Sequence, residues 1–302
     1  MPAQDGKLTM NASSQKALDF TRPPAAVRES FDAMLSQMPI PGDAKIAPAD
    51  LVGVSGIRIT SPGVAEDTVL MYIHGGCYIA GSAAGIRGLA AGLGKAAGMT
   101  TYSFNYRLAP EHPCPAAVQD TVAGYKALLA KGFAPARIVM GGESSGAGLA
   151  LATLVALRDA GIALPAAAYL ISPWTDLALA GASIRGKAAA DPMLAEEGLR
   201  AAAAHYLGNS SAYRADASPL YADLKLLPPT LIHVGSTEIL LDDAVRTAGV
   251  MAAADVDVTL HVWPNVPHAW HVLGPNMPAA MWAIEEIGAF LSARVAAAST
   301  RK

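Results

Sequence analysis

The most distinctive short pattern in the chain is Gly-x-Ser-x-Gly, formed by Gly142-Glu143-Ser144-Ser145-Gly146. The run before it, "RIVM", is strand-like, and the run after it, "GAGLALATL", consists of small, helix-forming residues. A serine at such a strand-to-helix turn has an exposed hydroxyl and lies beside the N–H groups that begin the helix. We therefore interpret Ser144 as the candidate nucleophile of an acyl-transfer site.

A serine hydroxyl is a weak nucleophile without an adjacent base, which is commonly a histidine further along the chain. His233 and His261 lie within the strand-like runs "LIHVG" and "TLHVW", where we expect them to line a sheet face. His268 and His271 follow the last of these runs, in "PNVPHAWHVL". Prolines and an asparagine interrupt regular structure around His268, which favours it as a loop-borne base, with His271 as the alternative.

The third group of such a site is a carboxylate that orients the histidine and stabilises its protonated form. Glu238 comes shortly after the strand-like run "TLIHVG". Asp242 and Asp243 are expected in the first turn of the following helix, where acids interact favourably with the helix dipole. Glu238 is therefore the candidate acid, and Asp242 remains the alternative.

Acyl transfer also requires N–H groups that stabilise negative charge on the carbonyl oxygen, an arrangement called an oxyanion hole. One donor is expected from Ser145, directly after the candidate nucleophile. The others are expected from the loop after the strand-like run "VLMYI", at Gly75, Gly76 and Cys77, with His74 anchoring that loop.

Cys77 is one of 2 cysteines in the chain. No residues at metal-ligand spacing accompany it, so we expect its backbone N–H to matter rather than its sulfur, and we expect neither a nucleophile nor a metal ligand there. A cysteine in place of a glycine predicts a negative φ at this position. Its thiol is expected to face the substrate pocket.

The elements that must position these residues follow from the hydrophobic pattern. From about residue 51, short apolar runs alternate with helical stretches rich in alanine and leucine. Several of the runs are continuously apolar, as burial on both faces of a sheet requires. The sequence therefore predicts an α/β fold, with a mostly parallel central sheet flanked by helices.

Composition excludes several functional classes. The chain has 302 residues, of which 52% are hydrophobic and 16% charged, and its net charge is −3, which gives no basis for binding nucleic acid. No apolar run approaches the roughly 18 residues of a membrane span, and the N-terminal stretch does not resemble a signal peptide. Two cysteines do not form a disulfide framework, so we expect free thiols in a cytoplasmic protein.

Two regions interrupt the strand–helix alternation. Residues 1–45 contain the helical pattern "AAVRESFDAML", and residues 185–220 contain "DPMLAEEGLRAAAAHYLG" where another strand was expected. Helical insertions beside such a sheet often cover the ligand pocket at the carboxyl ends of its strands. We predict a helical cap from these two segments, over a catalytic domain of residues 46–184 and 221–302.

Taken together, the motifs resemble the hormone-sensitive-lipase branch of the α/β hydrolases, a group with many small bacterial esterases. The resemblance is carried by "HGGCYIAGS", "NYRLAPEHPCPAAVQD", "GESSGAG", "SPLYADLKLLPPTLIHVGSTEILLDD" and "VPHAW". By this resemblance, Ser144, Glu238 and His268 match a catalytic triad. Tyr106 and Asp120 match structural anchors of the family. Cys77, Glu143 and Glu238 depart from its commoner glycine, aspartate and aspartate.

The resemblance implies a serine carboxylesterase acting on short- to medium-chain acyl esters through an acyl-enzyme. It implies a small-molecule substrate and no metal or organic cofactor, and some relatives suggest a homodimer formed through the edge strand "VTLHVW". Two alternatives stay open. One is an amidase or deacetylase using the same triad, and the other is a non-catalytic ligand receptor, which the presence of His268 disfavours.

Overall fold

The computed structural model describes residues 18–51 and 53–300. The first 17 residues of the predicted cap segment 1–45, together with the N-terminal stretch judged not to be a signal peptide, lie outside the described residues.

The core of the described chain is an 8-stranded sheet in the order β1-β2-β4-β3-β5-β6-β7-β8. β1 and β2 pair antiparallel, β2 pairs antiparallel with β4, and every other neighbouring pair is parallel. The strands are β1 Lys45–Leu51, β2 Val54–Thr60, β3 Ala65–Ile73, β4 Met99–Phe104, β5 Ile138–Glu143, β6 Ala167–Ile171, β7 Thr230–Gly235 and β8 Val258–Trp263. The predicted α/β fold with a mostly parallel sheet is confirmed.

Helices cover both faces of the sheet and its carboxyl edge. They are α1 Pro24–Ser36, α2 Arg87–Ala97, α3 Ala116–Ala130, α4 Ser145–Asp159, α5 Ser183–Gly186, α6 Glu196–Leu207, α7 Leu241–Ala253 and α8 Pro278–Thr300. Short 3-10 turns add Pro135–Arg137, Pro219–Tyr221 and Trp270–Asn276. Among the described residues, no helix is long and apolar enough to cross a membrane.

The central strands are buried on both faces, which explains their continuous apolar runs. Every residue of β4, β5, β6 and β7 is buried, and so are the last six residues of β3. β1 was not predicted from the sequence, because its residues "KIAPADL" are mostly exposed and contain a proline. It forms an edge hairpin with β2 instead of joining the core.

The parallel arrangement brings the candidate residues to one edge. Carboxyl ends of parallel strands lie on the same side of a sheet, and ligands bind beyond them. The Gly75–Cys77 loop follows β3, Ser144 follows β5, Glu238 follows β7 and His268 follows β8. Residues far apart in the chain therefore meet at a single site.

Candidate active site

Ser144 occupies a strained turn between β5 and α4. Its φ is 57° and its ψ is −125°, a backbone conformation that costs free energy for a residue with a side chain. α4 begins at the next residue, Ser145, so its first N–H groups lie beside the serine hydroxyl. The Ser144 side chain is buried but lines a cavity. These are the features of a nucleophile elbow, the strand-to-helix turn predicted from Gly-x-Ser-x-Gly.

Two glycines make this turn sterically feasible. A Cβ atom at Gly142 would lie 2.0 Å from the backbone oxygen of Ile73 at the end of β3, and one at Gly146 would lie 2.2 Å from the same oxygen. Any other residue at either position would push the turn away from β3. The glycines of the motif are therefore required by backbone approach.

His268 and Glu238 form a buried pair. The Nδ1 atom of His268 lies 2.7 Å from Glu238 Oε2, and the Glu238 side chain is completely buried. The other carboxylate oxygen, Oε1, accepts hydrogen bonds from the Gly235 N–H at 2.6 Å and the Ser172 hydroxyl at 2.8 Å. Because its contacts fix the carboxylate, Glu238 holds the imidazole in a single orientation with Nε2 free to act as a base.

The contact with Glu238 also sets the direction in which the His268 pKa shifts. Burial opposes a positive charge on His268, but the Glu238 charge and hydrogen bond outweigh it and hold the His268 pKa above its ordinary value of about 6.5. An imidazolium formed during proton transfer is stabilised by the same contact.

Ser172 is a positioning residue that the sequence analysis missed. Its hydroxyl donates to Glu238 and accepts the N–H of Ala269, the residue after His268, at 3.0 Å. One side chain thus joins the acid to the loop that carries the base. The only signal in the sequence is a polar residue directly after the apolar strand β6.

The alternative base, His271, and the alternative acid, Asp242, have other contacts in the structure. His271 is fully buried, and its Nε2 atom lies 3.2 Å from Nδ1 of His233. The carboxylate of Asp242 accepts the N–H of Ser183 at 2.9 Å, at the start of α5. The structure therefore brings Glu238, not Asp242, into contact with His268.

The loop after β3 lines the same cavity as Ser144, and its N–H groups differ in whether they already have an acceptor. Gly75 donates its N–H to Glu143 Oε1 at 2.6 Å, so its prediction as an oxyanion donor is wrong. The N–H groups of Gly76 and Cys77 have no backbone or side-chain acceptor within the described part of the chain. Ser145 is the first residue of α4, and its N–H therefore has no intrahelical acceptor.

Glu143 has a structural role that the sequence did not reveal. Its carboxylate accepts hydrogen bonds from the Gly75 N–H and the Tyr72 hydroxyl, which ties the loop after β3 to the core strands β3 and β5. Burial raises the pKa of Glu143 to about 7, although these hydrogen bonds favour its charged form. Its position next to the nucleophile was the only signal in the sequence.

Cys77 differs from its predicted backbone conformation. Its φ is 55°, not negative, and Tyr78 after it has a φ of 64°. The prediction was wrong because the loop turns back so tightly that a left-handed pair of residues is needed; at Gly76, φ is 114° and a Cβ would lie 2.2 Å from the Ala80 oxygen. Cys77 does line the cavity, as expected. Burial raises its thiol pKa well above the ordinary value, so little thiolate is present at neutral pH.

Tyr106, in the motif that follows β4, anchors the loop that contains His74. The Tyr106 hydroxyl donates to the His74 backbone oxygen at 2.8 Å, and the two rings stack with centroids 4.2 Å apart. Arg107 binds Asp120 with a 2.8 Å contact between Nη2 and Oδ1. These contacts agree with the anchoring roles that the family resemblance implied.

Ser144, His268 and the Gly75–Cys77 loop line one narrow cavity. The cavity measures about 40 Å³, which is room for a few small groups. Most of its lining residues are apolar. Its lining comprises Leu18, Phe20, Phe31, Met34, Leu35, Gly75, Gly76, Cys77, Ile86, Glu143, Ser144, Met193, Leu194, His268, Ala269 and Val272.

Several relatives match this chain over most of its length. An acetyl-hydrolase of Streptomyces hygroscopicus is 44% identical over 252 residues, covering 83% of this chain and 84% of that protein. An esterase of Acinetobacter venetianus is 35% identical over 285 residues, covering 94% of this chain and 92% of that protein. Residues 70–272 match a family model that is described as the α/β-hydrolase fold.

Solved structures give the same result. An esterase from the bacterial hormone-sensitive lipase family is 42% identical with a TM-score of 0.89, covering 91% of this chain and 92% of that one. The esterase EstE5, in a crystal soaked with p-nitrophenyl butyrate, is 37% identical with a TM-score of 0.88 and the same coverage. The chain therefore belongs to the α/β-hydrolase fold family. Within that family, its predicted resemblance to the hormone-sensitive-lipase branch is confirmed.

Proposed function

We propose that the protein is a serine carboxylesterase that hydrolyses short- to medium-chain acyl esters through an acyl-enzyme intermediate. The observation that carries this proposal is the buried Glu238–His268 pair, whose histidine lines the same cavity as Ser144 at its strained turn. The esterase and acetyl-hydrolase names of relatives at 35–44% identity support the reaction type.

In the proposed reaction, the Ser144 hydroxyl attacks the ester carbonyl while Nε2 of His268 takes its proton. Glu238 stabilises the resulting imidazolium without accepting that proton. His268 then protonates the leaving alcohol, and an acyl-enzyme remains on Ser144. Water repeats the same steps to release the acid, so the cycle needs no metal or organic cofactor.

We assign stabilisation of the tetrahedral oxyanion to the N–H groups of Gly76, Cys77 and Ser145. Two observations support this assignment: the N–H groups of Gly76 and Cys77 have no other acceptor among the described residues, and both residues line the cavity with Ser144. Ser145 follows Ser144 directly and begins α4. Gly75 takes no direct part and instead positions the loop through Glu143. Donors held before the reaction stabilise developing charge without reorganisation.

The small volume of the cavity supports the preference for short acyl chains. Much of its apolar lining comes from α1 and its preceding residues together with Met193 and Leu194, all of them within the two predicted cap segments. Phe20 also contacts α6 at Gly198, where a Cβ atom would lie 3.4 Å from the phenylalanine Cβ. We propose that segments 1–45 and 185–220 act as a cap over residues 46–184 and 221–302, which form the catalytic domain.

The test is a panel of p-nitrophenyl esters from acetate to palmitate, measured with wild type and Ser144→Ala. We expect the highest kcat/KM on the short esters and a loss of about 10⁴-fold or more in Ser144→Ala. Wild-type activity in Ser144→Ala would refute the mechanism, and a maximum at palmitate would refute the chain-length proposal.

An amidase or deacetylase is the second candidate, because one relative is named an acetyl-hydrolase. The same triad can cleave an amide if the leaving amine is protonated. p-Nitroacetanilide tested beside p-nitrophenyl acetate distinguishes the two, and we expect turnover of the ester alone.

We also propose a cytoplasmic homodimer. The outer edge of β8 has no partner strand within the described sheet, so it can pair with a second copy of the same strand. Both cysteines are free thiols, which supports a reducing compartment. Light scattering on the purified protein tests the dimer, and a monomeric mass would exclude it.

A further inference from the structure

Three side chains outside the triad, two on the sheet and one on α8, could together bind a metal ion. His233 on β7 and His261 on β8 are directly paired in register, and Glu286 on α8 reaches both of them. The Nδ1 atom of His261 lies 3.0 Å from Glu286 Oε2, and the Nε2 atom of His233 lies 3.5 Å from the same oxygen. One ligand atom from each residue can be chosen so that all three lie within 4.8 Å of one another.

The buried member of this group has an unsatisfied nitrogen. His233 is 1% exposed, and its Nε2 atom has no hydrogen-bond partner among the described residues. Its other ring nitrogen, Nδ1, faces Nε2 of His271 at 3.2 Å. If Nδ1 carries the proton and donates it to His271, the lone pair on Nε2 points toward Glu286. A buried polar atom left in this state is costly unless something binds it.

The distances from the two histidines to Glu286 fit a coordinated ion. A tetrahedral ion with bonds of about 2.0–2.1 Å holds neighbouring ligand atoms roughly 3.3 Å apart. The two distances to Glu286 Oε2, 3.0 and 3.5 Å, bracket that value. The side chains of His261 and Glu286 are 41% and 39% exposed, so an ion has access from solvent.

We propose that His233, His261 and Glu286 bind a divalent transition-metal ion of the Zn²⁺ type, with solvent in the fourth position. Two imidazoles and one carboxylate suit Zn²⁺ and Co²⁺, whereas Mg²⁺ and Ca²⁺ prefer oxygen ligands alone. The contact between Nδ1 of His233 and His271 supplies the outer hydrogen bond that commonly orients a metal-binding histidine.

Such an ion would connect β7, β8 and α8. β7 leads directly to Glu238, and β8 leads to the loop that carries His268. The ion takes no part in ester cleavage, because its ligands are not those of the triad. Its expected effect is on stability, since a ligand that binds only the folded state raises the free energy of unfolding.

The test uses protein stripped with a chelator and titrated separately with Co²⁺, Zn²⁺ and Mg²⁺. We expect one Co²⁺ per chain with the visible absorption of a tetrahedral or five-coordinate ion, and no binding of Mg²⁺. Zn²⁺ at a hundredfold excess over its Kd should raise Tm by about 5 °C or more. His261→Gln and Glu286→Gln change partly exposed residues and should fold, but each should weaken binding by about a hundredfold or more.

Two control variants locate the ion. His112→Gln removes an exposed histidine outside the group, and His268→Ala removes the triad histidine; both should bind Co²⁺ as wild type does. Absence of binding in the wild type would overturn the proposal. Equal binding by wild type, His261→Gln and Glu286→Gln would overturn it as well, and so would loss of the ion in His268→Ala.

Discussion

The Glu238 carboxylate has a different contact at each of its two oxygens. Oε1 is held by the Gly235 N–H and the Ser172 hydroxyl, and Oε2 contacts His268. The carboxylate therefore cannot rotate without losing hydrogen bonds that are completely buried. Such rigidity keeps the imidazole ready for proton transfer, and it makes the charge of Glu238 the main influence that raises the His268 pKa.

The pH dependence of activity should report this contact. His268 must be neutral to act as a base, so kcat/KM should fall as the pH drops through a pKa above about 6.5. Glu238→Gln removes the charge, after which burial dominates and lowers the His268 pKa. We expect kcat to fall by on the order of 10²–10⁴-fold, and the acid limb of the remaining activity to move to lower pH. Steady-state kinetics on p-nitrophenyl acetate across pH measures both.

Glu143→Gln serves as the control, because Glu143 also titrates near neutral pH, at about 7. If the acid limb disappears in Glu143→Gln and stays in place in Glu238→Gln, Glu143 governs the pH profile and the account of His268 is wrong.

Whether a site residue could be predicted from the sequence depends on whether its partners lie nearby in the chain. Ser144 has a local pattern of glycines, and Glu238 and His268 follow from the ends of β7 and β8. Ser172 and Glu143 have no such local pattern, since each acts through a partner more than 60 residues away in the chain. The φ of Cys77 could not be read from its residue type, because the tight return of the loop overrides the preference of a side chain.

At the scale of elements, the contact between the nucleophile turn and β3 is the tightest constraint on the site. A Cβ at Gly146 would meet backbone oxygens of Ile73 and His74, at 2.2 and 2.5 Å, and backbone cannot yield as a flexible side chain can. A shift of α4 at this point would also move the Ser145 N–H away from the reacting atom.

Gly146→Ala should therefore destabilise the protein by about 1–3 kcal/mol or more and reduce kcat. Gly249→Ala is the matched control, because Gly249 is exposed within α7 and a Cβ there meets nothing within 4 Å. The control should gain about 0.5–1 kcal/mol from helix propensity. Urea unfolding measures both changes, and equal stability of the two variants would contradict the steric explanation.

A second cavity adjoins the cavity that Ser144 lines. It measures about 370 Å³, is mainly apolar, and lies between α2, α8 and the residues after α1. Val272 lines both cavities, so its side chain contributes to the wall between them.

Val272→Ala should open a passage from Ser144 into this larger cavity. We expect the ratio of kcat/KM for p-nitrophenyl octanoate over acetate to rise by about tenfold, which corresponds to the burial of about two more CH₂ groups at about 0.8 kcal/mol each. Val250→Ala, a truncation of the same size on α7, lines neither cavity and is the control. An unchanged ratio in Val272→Ala would show that the acyl chain lies elsewhere.

At the scale of the whole molecule, the sheet determines where chemistry occurs. Six mutually parallel strands place four loops of distant sequence at one edge, and the order of Ser144, Glu238 and His268 along the chain reflects the order of β5, β7 and β8. This part of the fold was predictable because buried parallel strands have continuous apolar runs. The antiparallel hairpin β1–β2 was only half predicted, since the exposed β1 lacks that signal.

The central claim is that Ser144 forms a covalent acyl-enzyme, and trapping that intermediate tests it most directly. Protein quenched with acid during turnover of p-nitrophenyl butyrate would be digested and analysed by mass spectrometry. We predict one butyryl group on the peptide that contains Ser144, assigned to that residue by fragmentation and missing from Ser144→Ala. A butyryl group on any other residue, or turnover at full rate by Ser144→Ala, would contradict the account.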